Sequence, residues 1–88
     1  MRESDIARVT ADAWRAVLEI EGDAGDEDFF QLGGDSLAAV TLVDRLRADL
    51  GVEVPLEVVF FDGRLSALIR ACADLVAAAP DPRAHVQR

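Results

Sequence analysis

Apolar residues recur along this chain at steps of three and four in three separate stretches, and that rhythm predicts three helices. The first runs from Asp5 to about Ile20, with Ile6, Val9, Ala13, Val17 and Ile20 on one face, Trp14 and Leu18 widening the stripe, and Ser4 or Asp5 as the cap. The second runs from Asp35 to Leu50, where Ala39, Leu42, Val43, Leu46 and Leu50 point inward and Gly51 supplies the stop. The third runs from about Arg64 to Ala79 and carries Leu65, Leu68, Ile69, Cys72, Leu75, Val76 and Ala79, before the Pro80-Asp81-Pro82 segment ends it. Trp14 and Cys72 lie within these stripes and read as core side chains.

Between the first two helices the pattern breaks. Glu21 to Gly34 shows neither a period of two nor one of 3.6, so it predicts a long loop pinned by Phe29, Phe30 and Leu32. Three residues from Val52 to Val54 before Pro55 are too few for a strand, and Leu56 to Phe60 reads as one short helical turn. Stripes of this kind can be buried only against one another. The expected fold is therefore all-α, a four-helix bundle of three main helices and a short third one, over residues 1–79, with 80–88 as a flexible tail.

Composition narrows the function. Eighty-eight residues hold one small domain, 51% of them hydrophobic and 30% charged, which leaves little depth for a catalytic cleft. The net charge of −8 comes from 17 acids against nine arginines, with no lysine. Such a surface repels nucleic acid and anionic membranes and favours proteins with basic patches. One cysteine and one histidine cannot build a Cys/His zinc site, and Asp23, Asp26 and Asp28 do not follow a calcium-loop pattern, so no metal is expected. The N-terminus lacks a charged region followed by an apolar one, which points to the cytoplasm.

The chemistry concentrates at Gly33-Gly34-Asp35-Ser36. Two glycines allow a sharp turn and leave the start of the second helix uncrowded, Asp35 can cap the exposed amides, and Ser36 falls in the first turn. A phosphodiester on that hydroxyl would meet free amides and the favourable end of the helix dipole. Taken alone, the same residues also read as an ordinary turn and cap. On the helical wheel Leu37, Val40, Asp44 and Arg47 lie on or beside the face of Ser36, and the two apolar ones either complete the core or form a docking patch.

The run Asp28-Phe29-Phe30-Gln31-Leu32-Gly33-Gly34-Asp35-Ser36-Leu37 resembles the core motif of peptidyl carrier domains. The likeness extends to Trp14, Arg45-Leu46, Leu50-Gly51-Val52, Pro55-Leu56, Phe60, Leu65 and Leu68, over roughly residues 6 to 76. It implies a four-helix bundle whose Ser36 receives 4'-phosphopantetheine from coenzyme A, with Asp35 and Gly34 beside it and Leu37, Val40 and Phe61 facing partners. The implied partners are a phosphopantetheinyl transferase and then adenylation, condensation, tailoring or thioesterase enzymes, met by a monomer that catalyses nothing itself. A fatty-acyl or polyketide carrier and an unmodified acidic interaction module are the alternatives. The family commonly places proline and threonine where this chain has Gly63 and Arg64, with Asp62 available as a substitute cap, and Phe61 occupies a place that is usually polar.

Gly-Asp-Ser-Leu also occurs in a family of serine hydrolases. A hydrolase needs a base, and the only histidine, His85, lies beyond the prolines with Asp81 four positions before it rather than three. No sheet is available to display such a nucleophile. A free-standing carrier and a domain cut from a synthetase both fit a chain of this length.

Overall fold

A computed structural model describes residues 2–22 and 27–78. Four helices, α1 (Glu3–Leu18), α2 (Ser36–Leu50), α3 (Leu56–Phe61) and α4 (Leu65–Ala78), form an all-α bundle with no strand among the described residues. The helix α1 packs against both α2 and α4, while α3 closes the end of the bundle by touching α2 and α4. Asp23, Asp26, His85 and the tail at 80–88 lie outside the described residues.

The ends of α1 differ from the expected ones. Arg2, in an extended conformation, is the N-cap, and the Ile6 amide donates to its carbonyl at 3.0 Å. Ser4 and Asp5, expected as caps, sit instead in the first turn, where the carboxylates of Glu3 and Asp5 favour the positive helix end. The helix stops before Ile20 because Glu19 turns left-handed at φ 56°, and the amides of Glu19 and Ile20 both reach the Arg15 carbonyl. At the other long break Gly51, with φ 74°, closes α2 as expected.

The core centres on Trp14, Phe29, Leu42, Leu46, Val59, Leu68 and Cys72, all fully buried. Thr10 is buried among them although its side chain is polar, while Val9, Val17, Val43, Ile69, Leu75 and Val76 from the expected stripes only flank the core. Burial pushes the Cys72 thiol up from its ordinary range, and the nearby Thr10 hydroxyl works weakly the other way. Among the described residues, no helix is long and apolar enough to cross a membrane.

Candidate functional site

The segment leading to Ser36 is held at both its ends. Asp28 starts it, accepting the Phe30 amide at 2.9 Å and the Gln31 amide at 3.4 Å on Oδ2. It also pairs through its backbone with Arg64 in an isolated antiparallel bridge, next to a 2.7 Å bond from the Phe29 amide to the Gly63 carbonyl. Turns then carry the chain forward, the Leu32 amide donating to Asp28 and the Gly34 amide to Phe29, each at 3.0 Å. Phe29 meets Trp14 edge-on at 5.2 Å between ring centres, and Phe30 stacks against Phe60 of α3 at 5.3 Å. The loop is pinned to the core through one ring and to α3 through the other.

The two glycines serve different needs. Gly33 adopts φ 105°, a conformation that side chains disfavour. Gly34 has no such angle; its constraint is space, because a Cβ there would lie 2.8 Å from Phe29 Cζ and nearer still to two other ring atoms. Phe29 is fully buried and has nowhere to retreat. Gly34→Ala is accordingly expected to destabilise the fold by about 1–3 kcal/mol in urea denaturation, as overpacking does. Combined with Phe29→Leu, the loss should be smaller than the sum of the two single losses, and strict additivity of the two changes would show that they do not collide.

Past the glycines, Asp35 caps α2: its Oδ1 accepts the Ala38 amide at 2.9 Å, and its carbonyl accepts the Ala39 amide at 2.9 Å. Ser36 is the first residue of the helix and is exposed. The amides of Ser36 and Leu37 bond to no acceptor among the described residues, as the first turn of a helix dictates. Leu37 and Val40, one turn apart beside the serine, are 74% and 46% exposed, so they are a surface patch and not part of the core. Asp44 and Arg47 lie farther along, exposed and 3.8 Å apart.

Phe61 is 93% exposed, but it lines a groove with α4 rather than joining a described contact with Leu37 or Val40. Sequence reasoning did not anticipate the roles of Asp28 and Gly63. Gly63 stands where the likeness calls for proline, and a Cβ there would collide with the Asp28 carboxylate. The Arg64 amide and Nε both donate to Asp62 Oδ1 at 3.2 Å, which lowers the Asp62 pKa and ties the turn before α4 together, but this bond does not reach a first-turn amide of α4, where the expected substitute cap would act. No group of His, Cys, Asp and Glu side chains suited to a metal occurs among the described residues.

Against known proteins, residues 8–72 match the model of a family described as the phosphopantetheine attachment site. The chain is 38% identical over 71 residues to gramicidin S synthase 2 of Brevibacillus brevis, spanning 81% of this chain and 2% of that synthase. It is 45% identical over 47 residues to indigoidine synthase of Dickeya dadantii (strain 3937), or 53% of this chain and 3% of the relative. It thus spans only a small part of these relatives. Among solved structures, it matches a complex of the phosphopantetheine transferase Sfp with coenzyme A and a peptidyl carrier protein, with TM-score 0.67 and 32% identity over 82% of this chain and 88% of the matched one. A docking-domain complex of the Pax synthetase shares the fold at TM-score 0.75 and 24% identity, over 90% of this chain and 76% of that one.

Proposed function

The chain belongs to the phosphopantetheine attachment-site family of carrier domains, and from that membership we propose that Ser36 is the attachment point and that the protein carries aminoacyl or peptidyl groups in non-ribosomal peptide synthesis. The observation that carries the reading is an exposed primary hydroxyl on the first residue of α2, directly after Gly33-Gly34-Asp35 and inside the matched region. The residues present suit such an arm. Ser36 and Leu37 offer unengaged amides at the positive end of a helix, and the open surface around them leaves room for a bulky substituent.

The chain's own part in loading is to present rather than to activate. A separate transferase, using coenzyme A and magnesium, takes the Ser36 proton, and Oγ forms a bond to the pantetheine-side phosphorus as the coenzyme's pyrophosphate link breaks and adenosine 3',5'-bisphosphate leaves. Asp35 holds the first turn of α2 in place while this occurs, and Gly34 keeps the preceding backbone seated against Phe29. The arm supplies a thiol on a long tether, which carries the cargo as a thioester and raises its effective concentration near each partner. Adenylation, condensation, tailoring and thioesterase enzymes are the partners of this reading, met by a monomer in the cytoplasm.

Incubation with coenzyme A, magnesium and a broad-specificity transferase should add one phosphopantetheine to the intact mass. A folded sample that gains no mass would leave an unmodified interaction module as the better reading.

Leu37 and Val40 give the transferase and later enzymes an apolar foothold beside the serine. Because Val40 is 46% exposed, Val40→Asp should leave the helical circular dichroism and thermal midpoint near those of the parent. Loading should slow by about tenfold, since contacts at the centre of an apolar patch carry most of the affinity. Parent-like loading of this variant would remove Val40 from the docking surface.

A further inference from the structure

Phe61 ends α3 as an aromatic ring 93% exposed, while its neighbour Phe60 is stacked on Phe30. Beside it a groove of about 710 Å³ opens between α3 and α4. Half-buried Val58, Ala67 and Ala71 line it, the alanines leaving the space, and the Phe61 ring forms one wall. From Ser66 to Asp74 the lining follows nine residues of α4, about 13 Å of helix. A trough of that length matches about two turns of another helix more closely than it matches a compact small molecule.

The charges around the trough select the occupant. Asp62 is engaged by Arg64, but Glu57 and Asp74, at the lining's α3 and α4 sides, have no ion pair among the described residues. The chain as a whole carries −8, which opposes a second copy of itself and favours a basic partner. Arg70 also lacks an ion pair among the described residues, and so presents one isolated cation that an acceptor on the occupant can meet.

We propose that the α3–α4 groove is a docking site for a basic amphipathic helix of a partner protein. Its apolar stripe lies over Ala67 and Ala71 against Phe61, and its lysines or arginines meet Glu57 and Asp74. The site uses neither Ser36 nor Leu37 and Val40, so it stands apart from arm loading and operates on the unmodified chain.

The test is a titration of the ¹⁵N-labelled, unmodified chain with a synthetic leucine-lysine amphipathic helix, alongside the same peptide with every lysine replaced by glutamate. Both are run at physiological ionic strength to suppress diffuse attraction. The expected result is amide shift changes concentrated in α3 and α4 with the lysine peptide and none with the glutamate one. Ala71→Gln, which fills the trough without adding charge, should weaken binding about tenfold at an unchanged thermal midpoint, and Phe61→Ser should act in the same direction.

Shift changes spread over acids such as Asp12 and Asp44, and insensitive to both variants, would overturn the proposal as diffuse charge attraction. The absence of binding would also overturn it. So would groove shifts that grow with protein concentration before any peptide is added, since they would assign the groove to a second copy.

Discussion

Ser36→Ala is expected to abolish loading altogether, so that the intact mass after incubation with coenzyme A and a transferase equals that of the untreated variant. The effect is complete because, on the proposed reading, the substitution deletes the oxygen that forms the bond to phosphorus. The fold should survive. Ser36 is exposed and heads α2 without serving as its cap, a task that falls to Asp35, and alanine is a good residue for a first helical turn. Circular dichroism and thermal unfolding of the variant should therefore overlay the parent within about 0.5 kcal/mol. Residual loading of Ser36→Ala would move the attachment point elsewhere, with Ser4, Thr41 and Ser66 the other exposed hydroxyls to examine among the described residues.

The largest loss of stability is expected from Phe29→Ala. Phe29 is completely buried, meets Trp14 and Phe30 edge-on, and bonds through its amide to Gly63 and through its carbonyl to Gly34. Emptying such a site costs about 3–5 kcal/mol. An 88-residue domain commands only about 4–13 kcal/mol in total, so urea denaturation should find the variant barely folded or unfolded at 37 °C. Phe61→Ala supplies the contrast: a ring 93% exposed should change stability by less than about 0.5 kcal/mol. A Phe29→Ala loss below about 1.5 kcal/mol would mean that the loop before Ser36 is held by its backbone bonds alone.

Much of this arrangement was legible in the sequence, and the parts of the site that were not share a cause. The helices followed from local periodicity, and the short α3 from Leu56 to Phe60 reading as one helical turn after a stretch, Val52 to Val54, too short for a strand. Ser36 at the head of α2 followed from glycines and a capping aspartate, all of them neighbours in the chain. The missed features depend on residues far apart in sequence. Asp28 and Gly63 are 35 positions apart, and only the fold shows that one residue's carboxylate fills the space the other leaves empty.

Leu37 and Val40 were ambiguous for the same reason. A helical wheel orders the faces of α2, but the packing of α1 and α3 decides which of those faces meets solvent. The early end of α1 reflects a left-handed Glu19, a conformation that nothing in the local sequence announces. Thr10 has no place in the apolar stripes because its side chain is polar, yet its position near Cys72 buries it.

The concealment of Cys72 bears on how securely cargo is held. A thioester can be lost to any neighbouring thiolate by exchange, and a carrier with a reactive cysteine of its own would strip its load by self-transfer. Here the chain's single cysteine is inaccessible, with its ionisation driven toward more alkaline values. On the proposed reading, a thioester on an arm at Ser36 would therefore find no competing thiolate on the folded chain itself.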